Sequence, residues 1–171
     1  EVLHGVPLDL ITAKSPSGNP EEGLSAEALQ FYTSVDSGTK ELLFPIAESV
    51  TAPFALYYDK VYALLDYFRE GEYRYSLRPG QAPDGDQLRY FVTESKKGYC
   101  SYFAFAYCLM LRSLGIPARL AAGFFLQPES GILNYYPVRA NMAHAWVEVF
   151  FPYLGWVDLD PTTEQLADGE A

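Results

Sequence analysis

The sequence predicts an α+β domain, with helices in its first half, one apolar helix near its middle and strands behind that helix. Apolar residues recur at helical spacing around residues 38–50, 54–68 and 101–114. Downstream of Pro117 the period changes to two, the pattern of an antiparallel sheet with one buried face. A chain of 171 residues, 49% hydrophobic and carrying 14 Tyr and 11 Phe, suits one domain with an aromatic-rich core.

Residues 1 to about 24 are broken by Pro7, Pro16, Gly18, Pro20 and Gly23 and read as an extended arm and loop. The arm is taken to reach residue 40, ahead of a single domain over residues 41–171. From Gly38 to about Val50, Leu42, Leu43, Ile46 and Val50 share one side of a helix that contains Pro45 and ends before Pro53. A second helix is expected from Phe54 to Phe68, burying Leu56, Val61, Leu64, Leu65 and Phe68. Tyr73 to Leu77 alternates as a short strand, Pro79 to Asp86 is turn-rich, and Gln87 to Glu94 forms a short helix or turn. The central helix carries Phe103, Ala104, Tyr107, Leu111 and Leu114, and Gly115 and Pro117 stop it. Arg119–Phe125, Ile132–Val138, His144–Phe151 and Gly155–Asp160 then read as strands, followed by a short acidic tail after Thr163.

Cys100 falls where a loop turns into the central helix, so the unpaired N–H groups and positive dipole end of that helix would favour its thiolate. His144 heads one strand pattern and Asp160 ends the next, supplying a base and an orienting carboxylate. The two lie eight residues either side of Pro152. A hairpin symmetric about that proline places them directly opposite each other on one sheet face. In that arrangement Nδ1 of His144 faces the carboxylate and Nε2 faces the thiol. Asp158 shares the face and is given a structural role. Cys108, eight residues beyond Cys100 on one helix, sits too far away for a disulfide and reads as a small core residue.

A formal charge of -10 without a Lys or Arg cluster argues against nucleic acid as a partner. Two cysteines and two histidines do not compose a metal site of ordinary spacing, and no glycine-rich phosphate loop is present, so neither metal nor cofactor is expected. No apolar run reaches the length of a membrane span. The chain begins with Glu, which reads as a processed or excised piece whose parent carries any targeting segment.

Gly98-Tyr99-Cys100-x-x-Phe103-Ala104, Leu111-Arg112-x-x-Gly115-Ile116-Pro117-Ala118-Arg119, His144-Ala145-Trp146-Val147-Glu148-Val149, Gly155-Trp156-Val157 and Asp160-Pro161-Thr162 follow one another in an order that resembles the transglutaminase-like superfamily of papain-like cysteine enzymes. The likeness covers roughly Leu42 to Thr162. It implies a transglutaminase-like catalytic domain with Cys100 as nucleophile, His144 as general base and acid, and Asp160 as orienting carboxylate. It also implies an oxyanion hole formed by the Cys100 N–H and a side-chain donor from an upstream strand, for which Tyr75 is the candidate. Tyr99, Tyr102 and Trp146 are expected to line a substrate cleft. The implied activity is acyl transfer on protein or peptide amides through a thioester, ending in hydrolysis or amine cross-linking. The resemblance further implies an extracytoplasmic location, periplasmic or cell-surface, within a membrane-anchored parent chain. A reading from another class is a non-catalytic binding or scaffolding module on the same fold.

Overall fold

The structure is a computed structural model and describes residues 22–124 and 138–170. Two layers meet along one helix. Helices α1 (Ala26–Tyr32), α2 (Ser37–Thr51) and α3 (Tyr57–Arg69) precede a two-residue strand β1 (Arg74–Tyr75). A single turn α4 (Gln87–Tyr90), a π-helical turn over Phe91–Ser95 and strand β2 (Lys97–Gly98) lead into α5 (Cys100–Ser113). Strands β3 (Ala118–Phe124), β4 (Ala143–Phe151) and β5 (Gly155–Leu159) form an antiparallel sheet in that order.

Helix α2 starts because the Asp36 carboxylate accepts from the Thr39 N–H at 2.9 Å, and it runs through Pro45. Its Leu43 and Ala47 are fully buried against α5 and α3, an apolar gain that offsets the hydrogen bond proline removes. Helix α3 begins at Tyr57, three residues later than the sequence suggests. The Phe54 N–H closes a turn on the Thr51 carbonyl at 3.0 Å, which leaves Phe54 and Leu56 outside the helix and exposed. The expected inner face of α3 is otherwise present, with Val61, Leu64, Leu65 and Phe68 buried.

Helix α5 is the spine of the molecule. Phe103, Ala104, Tyr107, Met110 and Leu111 are fully buried between the α2–α3 layer and the inner sheet face of Val147, Val149 and Phe151. It ends in a Schellman motif: Ile116 N–H donates to Leu111 O at 3.0 Å and Gly115 N–H to Arg112 O at 2.9 Å, with Gly115 at φ +78°. Arg112 Nε then donates to Ala118 O at 2.8 Å, tying the helix end to the first residue of β3.

Four further expectations are corrected or bounded. The arm over residues 1–40 contains α1 at Ala26–Tyr32, capped by Ser25, whose hydroxyl accepts from Ala28 N–H at 3.1 Å. The strand at Tyr73–Leu77 shrinks to Arg74–Tyr75, pairs parallel with β2 and stands apart from the antiparallel sheet. The acidic tail is no loose end: Tyr75 N–H donates to Gln165 O at 2.7 Å, and Ala167 N–H donates back to Tyr75 O at 2.9 Å. The strand expected at Ile132–Val138 lies, but for Val138, outside the described residues, and Val138 itself is in no strand.

Candidate active site

Cys100 is the first residue of α5, and Tyr99 ahead of it has extended backbone and makes no side-chain cap bond, so the cap residue leaves the helix-start N–H groups to the thiol. Gly98 makes this approach possible. A Cβ there would lie 2.6 Å from Cβ of Tyr102 and 3.2 Å from the Phe91 ring. The backbone therefore passes closer to the first turn of α5 than any side chain permits.

The β4–β5 register is Val147↔Leu159, Glu148↔Asp158 and Phe151↔Gly155, so the hairpin is centred on Tyr153 and not on Pro152. Pairing is thus displaced by two residues from the expected one, and His144 is diagonal to Asp160 instead of directly opposite. An even displacement leaves both side chains on one face. The imidazole still reaches the carboxylate, with Nε2 of His144 2.6 Å from Oδ2 of Asp160. This reverses the expected ring orientation, because Nε2 and not Nδ1 serves the carboxylate, and Nδ1 is the nitrogen left for the thiol side. The other carboxylate oxygen accepts from Thr162 N–H at 2.9 Å, which fixes Asp160 from behind.

The charges of the three groups reinforce one another. The Cys100 thiol is held below its usual range by its hydrogen bond with His144, against the opposing effect of burial, with help from the Ala145 and Ser101 N–H groups. His144 is pushed up to about 9, first by Asp160 and then by Cys100, against burial. Burial works to raise the Asp160 carboxyl, but the His144 and Thr162 hydrogen bonds prevail and hold it low. The arrangement therefore favours a thiolate–imidazolium pair backed by a carboxylate. Cys108 is the contrast: buried inside α5, its thiol is pushed up to about 11.

Tyr75 sits half-buried between β2 and the 165–167 segment, and the Cys100 charge, after burial, is a cause of its raised pKa. Tyr99 and Tyr102 pack edge to face at 4.8 Å, with Tyr102 also against Phe91 at 5.5 Å. Trp146 lies on the same sheet face as His144, its ring near-parallel to the imidazole at 6.4 Å, and its Nε1–H donates to Asp158 at 3.1 Å. Tyr102 thus belongs to the helix side of the site and Trp146 to the sheet side.

Sequence reasoning missed three contributors. Ala145 acts through its backbone N–H, which no side-chain type could signal. Gly98 acts through its missing side chain, and a glycine two residues before a helix-start cysteine is itself a sign of close packing. Gly123, on β3 opposite His144, leaves room for the Trp146 ring, whose Cη2 would lie 2.9 Å from a Cβ there.

Residues 42–161 match the family model of the transglutaminase-like superfamily. The chain is 36% identical over 137 residues to the protein YebA of Bacillus subtilis (strain 168), covering 77% of this chain and 19% of that protein. It is 38% identical over 102 residues to a protein-glutamine gamma-glutamyltransferase of Pseudomonas aeruginosa, covering 60% of this chain and 15% of the relative. Among solved structures, the periplasmic domain of TgpA from Pseudomonas aeruginosa superimposes with a TM-score of 0.70 at 29% identity, over 82% of this chain and 50% of that one. The chain therefore spans less than a fifth of the curated relatives it matches and half of the solved one.

Proposed function

The chain belongs to the transglutaminase-like superfamily, and from that membership we propose that it carries out cysteine-dependent acyl transfer on protein or peptide amides. The observation that carries this reading is the pairing of a helix-start thiol, lowered in pKa, with an imidazole held 2.6 Å from a buried-side carboxylate.

The Cys100 sulfur attacks the amide carbonyl carbon, forming the S–C bond as the carbonyl electron pair moves to oxygen. The Cys100 N–H and the Tyr75 hydroxyl stabilise that oxyanion, a contribution of about 3 to 4 kcal/mol per donor in comparable sites. Collapse of the intermediate breaks the C–N bond, and the imidazolium gives its proton to the departing amine. Water or a second amine then attacks the thioester, returns a proton to His144 and releases the thiolate. Asp160 holds the ring and its charge throughout.

The substrate is a protein or peptide. Likeness to a domain described as periplasmic supports a location outside the cytoplasm. Iodoacetamide at neutral pH tests the reading, since Cys100 should be alkylated far faster than Cys108 and lose that advantage in His144→Ala. Equal alkylation of the two cysteines would overturn it.

A further inference from the structure

Along the first turns of α5 lies a cavity of about 400 Å³ that Cys100, His144 and Asp160 do not line. Its first wall is α4 and the π-helical turn, through Leu88 and Phe91. Its second is the outward side of the first turns of α5, with Phe105. Its third is the inner face of β3 and β4 ahead of the part α5 covers, with Leu120, Ala122 and Ala145. Ser101 and Tyr102 also border it, so it touches the residues that follow both Cys100 and His144 in the chain. The Ala145 N–H that acts on the Cys100 thiol belongs to this wall. The cavity is therefore walled by the immediate chain neighbours of Cys100 and His144.

Its surface is apolar by construction. Among the described residues on its wall Gln87 is the one amide, and it is tied to the loop behind: Oε1 accepts from Ala82 N–H at 2.9 Å and Nε2 donates to Gly80 O at 3.1 Å. None of the described residues that line it is charged. Phe105 and Leu120 nevertheless remain 46% and 48% exposed, and Phe124, on the same face of β3, is 56% exposed. Half-open large apolar side chains around a concave, uncharged space next to a nucleophile are the features of a recognition site.

We infer that this cavity is a specificity subsite that takes an apolar side chain, branched or aromatic, from a residue flanking the amide-bearing residue of the substrate polypeptide. A charged side chain would lose its hydration there and find no charged partner among the described lining residues. The inference rests on the acyl-transfer reading for the identity of the occupant, while the cavity can be probed without any chemistry.

Two hexapeptides with a central glutamine, one flanked by leucine and one by serine, serve as probes. Titration calorimetry of the Cys100→Ala chain should give a Kd at least about tenfold lower for the leucine peptide. The wild-type chain with hydroxylamine as acceptor should show the same preference in kcat/KM. Ala122→Trp, which fills the cavity, should bring both ratios toward unity. Phe105→Ser, a half-exposed position that tolerates change, should do so in part and guards against misfolding of the first variant. Equal Kd values for the two peptides would overturn the subsite even if Cys100 proves fast in alkylation and transfer. A leucine preference in binding alongside slow alkylation of Cys100 would uphold the subsite and overturn the acyl-transfer reading.

Discussion

Cys100, His144 and Asp160 were each legible as residues, because a cysteine at a loop-to-helix junction and a histidine and aspartate at strand ends are uncommon enough to stand out. Their pairing was legible only in part. Face alternation survives any even shift of register, so the histidine–aspartate contact was foreseeable, but the turn that sets the register depends on backbone conformation. Tyr153 adopts φ +67° and Gly155 φ +86°, and this moves the hairpin centre one residue past Pro152. The electrostatics of the site give a prediction with a definite sign. His144 is raised to about 9 in the folded chain, so its protonated form stabilises the fold fully below its ordinary value of 6.5, and that contribution is lost as pH rises through about 9. The lowered Cys100 contributes in the opposite sense, above its ordinary value, and loses its contribution as pH falls through its folded pKa. The thiolate–imidazolium form thus occupies a window below pH 9, and kcat/KM should decline above it. Asp160→Asn removes the largest cause of the raised histidine pKa. The alkaline limb should then move toward neutrality, as read by the pH profile of Cys100 alkylation and by imidazole NMR titration. On the proposed oxyanion role, Tyr75→Phe should lower kcat far more than it changes KM, since the hydroxyl would act on charge that develops only in the transition state.

At the scale of elements, the long helices that bury a stripe were visible in the sequence and the short α1 was not. Helix α1 has no fully buried residue, only a half-buried side of Ala28, Leu29 and Tyr32 that is too short to show a period, and its start was marked by Ser25 at the cap with Glu27 in the first turn. Strand β1 was visible but misjudged, because Tyr73 and Ser76 are both buried while Arg74 and Tyr75 are half-buried, a pattern that is not a simple alternation. The start of α5 is the element on which the site depends. Gly98→Ala would drive a methyl group into Tyr102 and Phe91, costing about 1 to 3 kcal/mol as overpacking does elsewhere. Cys100 would also be displaced from His144. Denaturant unfolding should record the loss, and the alkylation advantage of Cys100 over Cys108 should shrink together with it. Gly115→Ala, at φ +78° with nothing near its absent Cβ, should cost about 1 kcal/mol or slightly more through backbone strain alone and leave that advantage intact.

Across the whole molecule, Cys100 and Tyr75, the proposed nucleophile and oxyanion donor, sit on different elements, and one aromatic cluster joins them. Phe68 of α3 packs against Tyr73 at 4.8 Å, Phe91 at 6.4 Å, Phe103 at 6.2 Å and Tyr107 at 6.2 Å. Tyr73 leads into β1 and Tyr75, Phe91 underlies Tyr102, and Phe103 and Tyr107 belong to the helix that starts at Cys100. The buried Tyr107 hydroxyl donates to Val61 O at 2.9 Å, and that of Tyr57 to Phe150 O at 2.6 Å, so α3 is bonded to both the spine helix and the sheet. Composition announced an aromatic core, but which rings would meet depends on contacts far apart in sequence and no local pattern encodes it. Phe68→Ala should therefore destabilise the domain by about 3 to 5 kcal/mol, the range for deleting a fully buried aromatic side chain. Because the lost ring supports both the approach to β1 and the helix that starts at Cys100, unfolding should remain a single transition with a lower midpoint, and Cys100 reactivity should fall only as the folded fraction falls. Leu166→Ala, at an exposed position beside Tyr75, is the control and should shift stability by less than about 0.5 kcal/mol. Parallel urea curves for the two variants, followed by far-UV signal and by Cys108 labelling, would check the argument. A Phe68→Ala protein as stable as the parent would show that the cluster does not bind the layers together.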